Sequence, residues 1–199
     1  MPELPEVETI KRELARIKGK KIKSVWNNWP KTVSPLSLET FKKKVKDKKI
    51  TSVSRRAKIL IVKLNEGSIL IHLKLTGQLI LSKKDLKSKF THLILEFTDG
   101  DRLFFNDLRK FGWMRFVETG EEKKIFREFG PEPLTKEFSF KKFKEILNKY
   151  PKRKIKQILL DQKLIAGVGN IYTDESLFCA RILPARIAGK ITEKELKQL

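Results

Sequence analysis

One cysteine, two histidines and two methionines are all the sulfur and imidazole that this chain of 199 residues carries. A single Cys179 excludes an internal disulfide. With only His72 and His92 beside it, a structural zinc site of four Cys/His ligands cannot be assembled from the chain. No apolar run approaches the ~20 residues that cross a bilayer, and no signal peptide precedes the acidic N-terminal stretch. A soluble, cytoplasmic protein is therefore expected. Internal repeats and low-complexity tracts are also missing. Acid is scarce: 24 Asp and Glu stand against 45 Lys and Arg, a net charge of +21. Such an excess points to a polyanionic partner, most often nucleic acid. Residues 41–58 hold nine basic side chains (Lys42, Lys43, Lys44, Lys46, Lys48, Lys49, Arg55, Arg56, Lys58) against Asp47 alone, and residues 141–165 hold nine against Glu145 and Asp161. Lysine on solvated faces accounts for part of this, but not for the acid-poor runs.

What is present reads as two halves. Val7, Ile10, Leu14 and Ile17 are spaced 3, 4 and 3, an amphipathic helix stopped by Gly19. Short β-branched or aromatic runs follow: 22–26, 59–64, 68–75, 92–97, 102–105 and 113–117. Turn signals such as Asn65-Glu66-Gly67 and Thr98-Asp99-Gly100 separate them. A two-layer sandwich or flattened barrel with the first helix against it is expected over 1–118. A linker over 119–130 leads to an all-helical unit over 131–199, the whole being an α+β protein. In that unit Phe140, Phe143, Ile146 and Leu147 mark one helix and Ile155, Ile158 and Leu159 another. Gly167-Val168-Gly169-Asn170 is a tight turn into a third helix at 171–180, and a fourth starts at Glu193. Cys179 falls in the stretch Ser176-Leu177-Phe178-Cys179-Ala180 and is expected in the core.

The opening Met1-Pro2-Glu3-Leu4-Pro5-Glu6-Val7-Glu8-Thr9 carries a chemical possibility. Methionine before a small residue is normally trimmed, which would leave Pro2 as a terminal secondary amine beside the carboxylate of Glu3. A terminal amine titrates near 7.7–8.0 and a lysine near 10.4, roughly a 300-fold difference in unprotonated nucleophile at neutral pH. The competing reading is architectural. Pro2 and Pro5 would set φ for a helix start whose dipole Glu3 and Glu6 complement.

Further blocks fall in order along the chain: Arg55-Arg56-Ala57-Lys58, His72-Leu73-Lys74-Leu75-Thr76-Gly77, Asn106-Asp107-Leu108-Arg109-Lys110-Phe111-Gly112, Gly130-Pro131-Glu132-Pro133-Leu134, and Asp161-Gln162 through Gly167-Val168-Gly169-Asn170-Ile171-Tyr172 to Ser176. With the opening nonapeptide they resemble the bacterial formamidopyrimidine-DNA glycosylases, repair enzymes that excise 8-oxoguanine and ring-opened purines. The resemblance implies that Pro2 attacks C1′ of the damaged nucleotide and that Glu3 shuttles protons. Glu6 would hold the site, and Lys58 would contact the phosphate or sugar beside the lesion and donate a proton. The iminium at Pro2 would acidify C2′ for β-elimination of the strand. Arg109, Phe111 and Leu75 (where the family often has Met) would form the wedge that fills the gap left by the extruded nucleotide. Lys152, Lys156, Asn170 and His92 would contact DNA, the first three on a helix–two-turn–helix unit. The implied partner is double-stranded DNA containing a damaged base, with no membrane, and the protein is expected to be a monomer.

The family usually ends in a four-cysteine zinc finger, whose hairpin arginine serves DNA contact and δ-elimination. This chain stops at Leu199, so no cofactor or metal is expected in it. Two other readings stay open: a truncated, non-catalytic nucleic-acid-binding module, and a glycosylase of oxidised pyrimidines.

Overall fold

Leu4–Leu14 form helix α1, continued by a 3-10 turn over Ala15–Ile17. Val7, Leu14 and Ile17 are buried on its inner face, and the chain leaves through Gly19 at φ +87°, a conformation glycine adopts without a Cβ penalty. The computed structural model describes residues 2–199. It divides into two units, one ending at Ile125 and the other spanning Phe126–Leu199.

In the first unit eight strands make two antiparallel four-stranded sheets. One has the order β1 (Ile22–Asn27), β6 (Thr91–Phe97), β7 (Arg102–Asp107), β5 (Gly77–Ser82). The other has the order β2 (Ile50–Arg56), β3 (Ile59–Leu64), β4 (Ser68–His72), β8 (Trp113–Val117). Strand residues two apart share a face. Accordingly Leu93, Leu95 and Phe97 meet Leu60, Val62 and Leu64 in one core, with Val7, Leu14 and Ile17 of α1 and Phe41 and Val45 of α2 (Leu38–Val45). The expected sandwich with a helix against it is thus the architecture present.

Several elements differ from the sequence reading. Strand β2 lies within the basic run 41–58, because Ile50 and Val53 pack on the core while Arg55 turns to Glu8 of α1. The run expected at 68–75 breaks after His72, since Lys74 adopts φ +53° and β5 starts at Gly77. The expected linker contains a short helix, α3 (Glu121–Phe126), with no buried residue.

The second unit holds α4 (Phe140–Lys149), α5 (Ile155–Leu160), α6 (Asn170–Cys179) and α7 (Glu193–Gln198). Phe143, Ile146, Leu147, Ile155, Ile158, Leu159, Leu177 and Leu196 form its core. Two expectations are corrected here. Cys179 is exposed, because the inward face of α6 is set by Thr173, Leu177 and Ala180, and Cys179 falls outside that stripe. Phe140 at the head of α4 is likewise exposed. Among the described residues no helix is long and apolar enough to cross a membrane.

Gly130 donates its N–H to Gln162 O at 2.9 Å, and a Cβ built on it would lie 2.3 Å from Leu164 O. Gly130→Ala should therefore destabilise the second unit by about 1–3 kcal/mol, the cost of overpacking. Denaturant unfolding followed by the far-UV helix signal would measure this loss.

Candidate active site and nucleic-acid interface

Helix α1 starts where the candidate chemistry is. Glu3 is its N-cap, and a capping box links it to Glu6: the Glu6 carboxylate accepts the Glu3 N–H at 2.9 Å, and the Glu3 side chain accepts from the Glu6 backbone. Glu3 is only 1% exposed. Pro2 and Glu6 open on a cavity of about 450 Å³ lined also by Ile10, Leu75, Thr76 and Gln78. Removal of Met1, on which the terminal-amine reading depends, lies outside the described residues.

Lys58 reaches the same end of α1. It is the second residue of a two-residue turn that joins Arg56 of β2 to Ile59 of β3, with Ala57 at φ +51°. Only 8% exposed, it has its pKa lowered by burial, which outweighs the opposing attraction of Glu3; Lys74 adds repulsion in the same direction. A lysine held this way gives up its proton more readily than one in water.

Glu8 ties α1 to that hairpin. Its carboxylate accepts from Lys11 at 2.9 Å, from Arg12 at 3.2 Å and from Arg55 at 3.1 Å, and Arg55 also donates to the Ala57 carbonyl at 3.2 Å. These partners, Lys11 first, pull the Glu8 pKa down to about 2. The family motif alone did not reveal this pin, because Glu8 reads as an exposed helical residue. His72 is a second group without an assigned role. Burial, then the charges of Lys74, Lys58 and Arg115, push its pKa down to about 3. Its Nδ1 accepts the Lys74 N–H at 2.9 Å, so the neutral ring carries its proton on Nε2.

Two turns project beside the cavity. Leu75, 37% exposed, sits between β4 and β5; Arg109 and Phe111, the latter 54% exposed, sit between β7 and β8. The Arg109 guanidinium lies 5.1 Å from the Phe111 ring centroid. Asp107, buried, organises the second turn. Its Oδ2 accepts the Gly112 N–H at 2.6 Å and its Oδ1 accepts the Arg109 N–H at 3.2 Å. His92 is not an open contact as expected: it is 3% exposed, with Nε2–H donated to the Asp107 carbonyl at 2.8 Å and Nδ1 3.1 Å from the Asn28 amide. The ring braces the turn from beneath.

In the second unit Gln162 shapes the glycine turn. Its side chain accepts the Gly167 N–H at 2.9 Å and donates to the Val168 carbonyl at 2.7 Å, with Gly167 at φ +96°. Asn170 follows as the exposed first residue of α6. Lys152 is exposed, whereas Lys156 is engaged by Asp174 at 2.7 Å. Part of the other basic run is also neutralised, since Lys44 pairs with Glu118 at 2.5 Å and Lys48 with Glu66. The residues present do not fit a zinc ion. Cys179 stands alone, both imidazoles are tied, and no group of three potential ligands converges among the described residues.

The first unit is a sandwich with a proline, two carboxylates and a lysine at one helix start, and the second a helical unit with a glycine turn. The model of the formamidopyrimidine-DNA glycosylase N-terminal domain matches residues 1–114, and that of the same family's H2TH domain matches residues 129–199. The chain is 45% identical over 202 residues to the formamidopyrimidine-DNA glycosylase of Carboxydothermus hydrogenoformans, covering all of this chain and 73% of that protein. It is 42% identical to the one from Pelotomaculum thermopropionicum, covering 74% of it. The solved complex of Lactococcus lactis Fpg with DNA containing an abasic site superposes with a TM-score of 0.92 at 39% identity, covering 98% of this chain and 73% of that one. A Lactococcus lactis Fpg complex with Fapy-dG DNA gives the same score and identity. The chain belongs to the formamidopyrimidine-DNA glycosylase family.

The Glu8 pin has a defined pH signature. A carboxylate whose folded pKa is lowered stabilises fully above its unfolded value of 4.5, and that contribution disappears as pH falls toward about 2. Wild-type stability should therefore fall across this window more steeply than that of Glu8→Gln, which should already be less stable near neutrality. Thermal melts from pH 6 to pH 2 would show the two curves converging.

Proposed function

We propose that this chain removes oxidised and ring-opened purines, 8-oxoguanine and formamidopyrimidines, from duplex DNA and then cleaves the strand at the resulting site. Removal of Met1 would free the Pro2 nitrogen. The unprotonated amine attacks C1′ of the extruded nucleotide, the glycosidic bond breaks, and the base leaves with a proton. Loss of the ring oxygen from C1′, protonated by Glu3, leaves an iminium joining Pro2 to the opened sugar. That cation acidifies C2′; removal of the C2′ proton expels the 3′ phosphate by β-elimination. Water then releases the enzyme from the sugar fragment. Lys58, with its lowered pKa, neutralises the phosphate beside the lesion and supplies a proton. Glu6 fixes Glu3 through the capping box.

The observation that carries this reading is the convergence at one helix start: Pro2 facing a cavity of about 450 Å³, with buried Glu3 electrostatically coupled to buried Lys58. Arg109, Phe111 and Leu75 are exposed apolar or cationic tips suited to filling a vacated stack. Lys152 and Asn170 of the second unit, with the open lysines of both basic runs, suit the flanking phosphates. Lys156 joins them only by exchanging Asp174 for a phosphate.

Borohydride reduction during reaction with an 8-oxoguanine duplex tests the chemistry. A covalent protein–DNA adduct mapping to Pro2 is expected from protein lacking Met1, and Glu3→Gln should lose base release by about 100-fold or more, the range of a general acid–base group. No adduct from correctly trimmed protein would overturn the proposal and leave the non-catalytic binding module. In parallel, log affinity should fall steeply with log salt, since several phosphates are neutralised.

A further inference from the structure

The two projecting turns are joined through one hydroxyl. Thr76, next to Leu75, donates its hydroxyl proton to Asp107 Oδ1 and accepts the Arg109 N–H at 3.1 Å. The turn carrying Leu75 is thus hydrogen-bonded to the turn carrying Arg109 and Phe111, through a carboxylate that is itself 1% exposed. Hydrogen bonds made away from water are stronger than those exposed to it. The Asp107 carboxylate accepts three donors: Thr76 from one turn, Arg109 and Gly112 N–H from the other.

Space around this link makes it matter. A cavity of about 370 Å³ is lined by Leu75, Thr76, Gln78, Phe90, Asn106, Asp107 and Leu108. Leu75, Thr76 and Gln78 also line the Pro2 cavity, so the Leu75 turn borders open space in both. The turn also begins awkwardly, with Lys74 at φ +53° and Gly77 so close to Leu73 that a Cβ would lie 2.5 Å from the Leu73 carbonyl.

We propose that Thr76 is a positioning residue that locks the two turns into one rigid wedge, so that Leu75 and the Arg109–Phe111 pair hold a fixed separation while a nucleotide is extruded. The inference rests on the wedge reading given above. Thr76 does its work through Leu75 and Arg109. Without its hydroxyl, Asp107 keeps both N–H donors of the β7–β8 turn, so that turn stays folded and only the link between turns is lost.

Thr76→Val keeps shape and removes the hydroxyl; Thr76→Ser keeps the hydroxyl and removes a methyl group. In single-turnover assays Thr76→Val should release 8-oxoguanine from a duplex about tenfold more slowly, on the order of the hydrogen bonding lost with the hydroxyl, since the Arg109 N–H keeps Asp107 as a partner. Cleavage at a preformed abasic site in the same duplex should slow by less than about threefold, because no base has to be unstacked there. Thr76→Ser should restore base release to within about twofold. Equal slowing of both reactions, no slowing of either, or a serine variant as slow as valine would overturn the lock. Wild-type protein inactive on both duplexes would instead overturn the proposed function, and the lock with it. Active wild type with an unchanged ratio in Thr76→Val overturns the lock alone.

Discussion

Glu3 is a helix cap and, in the proposed chemistry, also the group that moves protons. A carboxylate with 1% of its surface exposed is tolerated only if donors and a counter-charge surround it. The backbone of the first turn of α1 supplies the donor, and Lys58 supplies the charge. That requirement fixes the rest of the first unit. The helix must begin at residue 4 so that Glu3 caps it and Pro2 lies just before the cap. The β2–β3 hairpin must be long enough, and turn tightly enough, to deliver Lys58 to the same point. Burial weakens the Lys58 proton more than Glu3 strengthens it, so the pair is held with its proton easier to move than in a surface ion pair. A carboxylate and a lysine shielded from water, beside a cavity, suit the proton transfer proposed for them.

The approach of hairpin to helix depends on Glu8 and Arg55. These groups are partly exposed, and a lone surface pair is worth little. Here three cations converge on one carboxylate, and Arg55 also closes onto the Ala57 carbonyl next to Lys58. Lys11 first, with Arg55 and Arg12, accounts for the strongly lowered pKa of a residue that does not line the cavity.

Much of this was legible in the residues. The 3–4–3 spacing of Val7, Ile10, Leu14 and Ile17 predicts α1 and its buried face, and the β-branched or aromatic runs at 59–64 and 92–97, bounded by turn signals, predict strands that the structure contains with bounds within a residue. Charge hid β2, because six of nine basic residues in 41–58 crowd into its approach and only Ile50 and Val53 show the inward period. At the site, ordered motifs drew attention to Pro2, Glu3, Lys58 and the Arg109 turn. They gave no account of how far each side chain is buried. His92 and Lys156 are expected from the family resemblance at DNA; in the structure His92 bonds Asp107 and Lys156 pairs with Asp174. Local pattern carries element type, whereas the partners of a polar side chain depend on residues tens of positions away.

Backbone strain marks the same places. Among the non-glycine residues at positive φ, Ala57 (+51°), Lys74 (+53°) and Lys110 (+58°) each adjoin a residue of the proposed machinery: Lys58, Leu75, and Arg109 with Phe111. A side-chain-bearing residue in the left-handed region costs about 1 kcal/mol or more. Three such positions represent a loss that the core must offset, and none has the glycine that would relieve it. The left-handed residue reverses the chain within a single step, so the next side chain emerges at the tip of a turn rather than along a strand. Glycine could make the same reversal, but it would widen the range of directions available to that tip. A strained, narrow turn aims Lys58 at Glu3 and presents Leu75, Arg109 and Phe111 outward; a relaxed one would leave the same residues in place without fixing where they point.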